Sequence, residues 1–274
     1  MTDAPPVPLT TEPPARAGVP YYRPSGTEVE LCRAALECGR PVMLVGPTGC
    51  GKTRFVEHIT ATLGRPLRTI VGNDDTTTAD LLGRFLVTGG DVRWVDGPLT
   101  LAVRQGEICY IDEVVEVRRE ALAALYPLAD DRRCVFLDRV AEVVAAAPGF
   151  ALMCSYNPGR SLGFKDLRSA FRQRFVTIAL DYLDEEGELE VLRRESRVDQ
   201  EVARRLVAVA TALRQGLSAE GPEAPSTRSL VVAAELVSRG IPEDVAVQHC
   251  VVAPLVHGGD VPPAAVTEIV SSLY

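Results

Sequence analysis

A chain of 274 residues with 46% hydrophobic and 24% charged content has ample material for a buried core and lacks the bias of a disordered, collagenous or membrane-spanning protein. Its formal charge of −8 runs against the basic balance of a dedicated nucleic-acid binder. Seven cysteines with no C-x-x-C pair and three scattered histidines exclude a disulfide framework and a zinc site, and with no apolar run of 18 residues and no signal peptide the expected compartment is the cytoplasm.

Residues 1–20 carry six prolines and little apolar content, which predicts a disordered arm. An alternating pattern follows: a helix over "GTEVELCRAALECG", a buried strand at "PVMLV", a helix over "TRFVEHITATL" and a strand at "LRTIVG". Residues 83–97 hold a Gly-Gly pair between short strand-like runs, a hairpin signal. The strand "GEICYID", a helix over "VRREALAALYPLA", a second alternating stretch at 133–147 and the strands "FALMCSYN" and "FVTIALDY" complete the pattern. Strands alternating with helices predict an α/β fold with a parallel five-stranded sheet covered on both faces. After Asp181 only helical segments remain, at 184–196, 199–215, 226–239, 242–250 and 262–273, so a boundary is expected there. The expected organisation is an arm at 1–20, an α/β domain at 21–181 with two hairpin inserts, and an all-helical lid at 182–274.

The chemistry begins at "GPTGCGKTRF". Gly46, Gly51, Lys52 and Thr53 fit G-x-x-x-x-G-K-[ST], a loop whose backbone N–H groups turn inward around phosphates. A strand precedes it and a helix N-terminus follows, which adds partial positive charge at the phosphates. The chain has only two lysines, Lys52 and Lys165, and one of them falls in this loop. Gly46, Pro47, Thr48, Gly49, Cys50, Gly51, Lys52, Thr53 and Arg54 are therefore the expected nucleotide contacts, with the Thr53 hydroxyl on Mg²⁺. "ICYIDE" ends a buried strand in two carboxylates beside this loop; Asp112 is placed in the Mg²⁺ shell and Glu113 on the attacking water. Two readings fit Asn157, a ligand for the water or γ-phosphate and a turn residue of Asn-Pro-Gly. "SAFRQRF" and "PSTRSL" add arginines that, taken alone, read as solvated charge. Phe85 and Trp94 in the first hairpin read either as core or as contact residues.

Phosphate loop, Asp-Glu, strand-terminal Asn, arginines before the last strand and an Arg in the helical lid stand in the order of the AAA+ ATPases. More narrowly, "YYRP", "DLLGRFLV", "WVDGPLTLAVR", "ICYIDEVVE", "LADDRR", "SYNPG", "RQRF" and "STR" make residues 20–274 resemble the MoxR group, and within it the CbbQ/NirQ/NorQ branch. The resemblance implies a P-loop AAA+ module using ATP and Mg²⁺, with Asn157 as first sensor and Arg228 as second. It implies an arginine finger lent to the neighbouring subunit, Arg174 with Arg172 the other candidate. It also implies a homo-oligomer, expected to be a hexamer, a von Willebrand factor A domain partner, and a client enzyme. That client is ribulose bisphosphate carboxylase/oxygenase or, alternatively, nitric oxide reductase. A nucleic-acid-directed motor is the rival of a different class, disfavoured by the acidic total and the absence of a basic tract. A GTPase would carry N-K-x-D for guanine, and Lys165 follows Phe164.

Overall fold

A computed structural model describes residues 18–158, 167–216 and 224–257. The chain opens with α1 (Glu28–Glu37), β1 (Val42–Val45), α2 (Lys52–Thr62), β2 (Leu67–Val71) and α3 (Thr78–Leu82). A hairpin of β3 (Gly83–Thr88) and β4 (Asp91–Asp96) follows, then α4 (Pro98–Gln105), β5 (Ile108–Asp112) and the single turn α5 (Arg119–Leu122). A second hairpin, β6 (Cys134–Leu137) and β7 (Glu142–Ala145), precedes β8 (Ala151–Tyr156), α6 (Ser169–Arg172) and β9 (Val176–Ala179). The rest is helical: α7 (Glu185–Ser196), α8 (Gln200–Gly216), α9 (Thr227–Ser238), α10 (Glu243–Val247) and α11 (Ala253–His257), the last two joined by a π-helical turn. Among the described residues no helix is long and apolar enough to cross a membrane.

Five strands form one parallel sheet in the order β2-β5-β8-β1-β9. Successive residues of a strand face opposite sides, and both sides are apolar here. Met43, Cys109, Ile111, Leu152 and Cys154 join one buried cluster, whereas Val42, Leu44, Ile108, Tyr110 and Met153 join the other. A third cluster, with Leu192, Leu206, Leu213, Leu230 and Val251, is built wholly from residues after β9.

Register decides what meets at the sheet's end. Val45 lies opposite Tyr156 and Ala179, and Ile111 opposite Cys154. Gly46, Asp112, Glu113 and Asn157 therefore leave the sheet at one edge, the carboxyl ends of their strands, where open α/β sheets place ligands.

The first hairpin turns at Gly89 and Gly90, with φ of 61° and 91°, a left-handed pair that matches strand twist. Phe85 and Val87 face Trp94 and Val92 across it. Phe85 is 45% exposed and meets the half-buried Trp94 edge to face, so the core reading fails for Phe85. At the hairpin's base the Asp96 carboxylate accepts from Trp94 Nε1 (2.7 Å) and Arg104 Nε (2.8 Å), while Arg104 also donates to Glu142 in the second hairpin (2.7 Å). One arginine on α4 thus joins both inserts.

One expected helix is broken. Residues 117–129 give a single α-turn, Arg119–Leu122, followed by one 3₁₀ turn, Ala123–Leu125. Arg118 sits extended at ψ 140°, its guanidinium held by the Asp74 carbonyl (2.6 Å) and the Asp75 carboxylate (3.3 Å). Arg118 is the residue before that turn, and Pro127, which has no N–H to donate, stands where the helix would continue. The helix expected at 262–273 and most of the proline-rich arm lie outside the described residues.

Candidate functional site

The phosphate loop is shaped by what its glycines touch. A Cβ on Gly46 would stand 2.2 Å from the Leu180 carbonyl oxygen, so no other residue fits there. Gly49 and Gly51 have φ of 71° and 101°, and Gly51 caps α2. Lys52 opens that helix, is 6% exposed, and donates from Nζ to the carbonyls of Gly46 (2.8 Å) and Pro47 (2.9 Å). The amine therefore lies across the mouth of its own loop. Cys50 lies in the same loop, its thiol pushed up by burial and so kept protonated.

Beside it, Thr53 Oγ1 donates to Asp112 Oδ2 at 3.2 Å. The other carboxylate oxygen, Oδ1, is held by Ser155 Oγ (2.5 Å) and the Tyr110 hydroxyl (2.8 Å). Ser155 also accepts from the Glu113 N–H at 3.2 Å. Ser155 and Tyr110 are fully buried, and burial reinforced by the Asp112 charge pushes the Tyr110 phenol far above its ordinary range. A phenol that cannot ionise remains a donor, so Asp112 is clamped on one oxygen and presents the other to Thr53. Glu113 follows in the left-handed region at φ 52°, unusual for a residue with a side chain. Its carbonyl passes 2.5 Å from where a Gly72 side chain would begin.

Asn157 is 5% exposed and donates from Nδ2 to Thr48 Oγ1 at 3.0 Å. Its amide is thus on the phosphate loop, a contact the turn reading does not require. Arg228, the second residue of α9, lines the same cleft as Gly51 and Thr53, a space of about 950 Å³. Arg54 lines it too, pairing with Glu57 (3.7 Å) and with Glu195 on α7 (3.4 Å). On the remaining side Tyr22 packs edge-on against Phe55 at 5.2 Å and donates to Glu28.

Arg172 and Arg174 stand apart. They precede β9, whose first residue Val176 pairs with Val42 at the start of β1. Four strand residues at about 3.3 Å each put them roughly 13 Å from the phosphate-loop edge. Arg172 is exposed; Arg174 donates to the Ala170 carbonyl (2.9 Å), lies 3.8 Å from Asp130 and stacks on the Tyr126 ring at 5.3 Å.

The chain is similar to known proteins over most of its length. Residues 41–175 match the family described as AAA domain (dynein-related subfamily), and residues 188–273 the family described as CbbQ/NirQ/NorQ C-terminal. Protein NorQ of Paracoccus denitrificans is 47% identical over 88% of this chain and 90% of its own, and Protein CbbQ of Hydrogenophilus thermoluteolus 46% identical over the same shares. The denitrification regulatory protein NirQ of Stutzerimonas stutzeri is 43% identical over 88% and 89%. The chain belongs to the CbbQ/NirQ/NorQ family of AAA ATPases. Its fold also matches a solved candidate ATPase of Cytophaga hutchinsonii, with a TM-score of 0.51 and 19% identity over 90% of this chain and 89% of that one. A CbbQ/NirQ/NorQ protein binds and hydrolyses nucleotide, and in this one Lys52, Thr53, Asp112, Glu113 and Asn157 stand together at the carboxyl edge of the sheet.

Three parts of this site have no motif to announce them. Ser155 and Tyr110 are polar positions inside strands that otherwise read as apolar runs, and that mismatch was their signal. The third, Tyr182, donates its hydroxyl to the Thr48 carbonyl at 3.0 Å; the sequence around it reads as a plain connector.

Proposed function

We propose that the protein is a Mg²⁺-dependent ATPase that works as a ring, a hexamer, and remodels a client enzyme. Lys52 and the loop N–H groups hold the β- and γ-phosphates, and Asn157 and Arg228 contact the γ-phosphate side. Thr53 Oγ1 and Asp112 Oδ2 are hard oxygen donors side by side, the set that Mg²⁺ takes together with phosphate oxygens and water. When bound, the ion neutralises charge on the transferred phosphoryl. Glu113 polarises the attacking water as general base. The residues after 181 act as the lid.

The observation that carries the ring is the position of Arg172 and Arg174. They occupy the sheet end opposite their own phosphate loop, which supports a reading in which they serve the cleft of a neighbouring subunit rather than their own. Arg174 is our choice, with Arg172 second. Arg174→Ala and Glu113→Gln should each lose on the order of a thousandfold in turnover. Mixed with time for subunit exchange, the two inactive proteins form junctions with an intact Glu113 on one side and an intact Arg174 on the other. Recovered ATPase activity supports the shared site; verified mixed rings that stay silent overturn it for Arg174.

For the client we propose ribulose bisphosphate carboxylase/oxygenase, engaged with a von Willebrand factor A domain partner. Nitric oxide reductase is the second reading, favoured by two relatives named as denitrification regulators at 43% and 44% identity. Incubating each inhibited or inactive enzyme with the ATPase, partner and ATP distinguishes them: only the true client gains activity, and only with hydrolysable nucleotide.

A further inference from the structure

Among the contacts that the chain after β9 makes with the phosphate loop, one comes from a residue that no nucleotide motif includes. Tyr182 lies in the connector between β9 and α7, and its hydroxyl donates to the Thr48 carbonyl at 3.0 Å. Its ring lies under the Arg214 guanidinium at 4.1 Å. Arg214 is fixed from every side. It pairs fork to fork with Glu188 (2.8 and 2.9 Å), which is 1% exposed, and donates from Nε to the Pro225 carbonyl (2.9 Å). Glu188 also accepts from Thr227 Oγ1 at 2.6 Å. The guanidinium thus gathers α7, α8 and the start of α9 into one rigid junction, and the Tyr182 ring is stacked on it.

We propose that Tyr182 is a positioning residue that locks this helical unit to the phosphate loop and orients a phosphate donor. In a planar trans peptide the C=O and the following N–H point in opposite directions. Holding the Thr48 carbonyl toward Tyr182 aims the Gly49 N–H away from it, as a donor to the phosphates. The Thr48 hydroxyl is meanwhile held by Asn157. Two side chains from two elements therefore fix the one loop residue that lies before Gly49, and a change in lid position reaches the phosphates through Tyr182. Gly49 is also touched directly: its Cβ would stand 2.4 Å from that of Ser226, the residue that caps α9. Ring, hydroxyl and cation have separate duties here. The ring follows the lid through Arg214, and the hydroxyl alone acts on the loop.

This rests on the phosphate-binding reading above, and the test separates the two. Tyr182→Phe keeps the ring under Arg214 and removes one oxygen. Binding of a fluorescent ATP analogue with Mg²⁺, measured without turnover, should weaken about three- to tenfold, the worth of one net hydrogen bond. Hydrogen exchange supplies a second reading. In the wild type, nucleotide should slow exchange of amides in α9, and in Tyr182→Phe that slowing should be lost. Unchanged affinity overturns the proposal, as does a lowered melting temperature with normal affinity in the folded protein, since the hydroxyl would then serve the fold alone. Lys52→Ala is the control. If it binds the analogue normally, the site reading itself fails; if it does not bind while Tyr182→Phe binds as wild type, only the role of Tyr182 falls.

Discussion

At the scale of single residues, the site depends on groups held more tightly than their motifs require. Lys52→Ala removes the ammonium at the loop mouth and should abolish nucleotide binding in a calorimetric titration, whereas Glu113→Gln should bind ATP and hydrolyse it very slowly. Ser155→Ala tests the clamp behind Asp112. It leaves the Glu113 N–H without the hydroxyl it donates to and takes one of two donors from Asp112 Oδ1, in a fully buried place. The expected cost is about 1–3 kcal/mol in stability by denaturant titration, with weaker Mg²⁺ dependence of nucleotide affinity. Tyr110→Phe should be milder, since Ser155 still holds that oxygen. The loop and Asp112 were legible because phosphate binding demands glycine, lysine and hydroxyl at fixed spacing. Tyr110 shares a strand face with Asp112 two residues on and showed only as a polar break in an apolar run, while the role of Ser155 comes from strand register, Ile111 opposite Cys154, which no local spacing encodes.

At the scale of elements, the two hairpins are the least conventional part. Both present apolar residues to solvent: Phe85, Val87 and Val92 on the first, Phe136 and Val143 on the second. Phe85→Ala removes a half-exposed ring, so stability should change by at most about 1 kcal/mol while activation of the client is lost; a large fall in melting temperature would return the ring to a structural role. The hairpins were readable from Gly89-Gly90 and from alternation. The break in the helix at 117–129 was missed although Pro127, which cannot donate within a helix, stands in that stretch. Gly49→Ala belongs to this scale as well. At φ 71° a side chain is strained, and it would press on the cap of α9, so nucleotide affinity in a titration and the melting temperature should both fall.

For the whole molecule, the sheet order and the helical unit could be expected from alternation followed by pure helix, while the distance between arginines and phosphate loop emerges only from strand pairing. That distance gives each subunit a direction. On the proposed reading, the edge that accepts an arginine and the edge that lends one lie at opposite ends of the sheet, so two copies cannot complete both of their clefts through a single two-fold contact. With the proposed shared site, assembly is head to tail, as in a row of identical couplings, and an open row of n subunits holds n − 1 complete junctions. Turnover per subunit should therefore climb as the row lengthens, with the last cleft filled only when the row closes on itself. Measured against concentration beside sedimentation, activity per subunit should be near zero for monomers and about half its final value for dimers. A dimer as active per subunit as the largest assembly would show that the couplings have no direction.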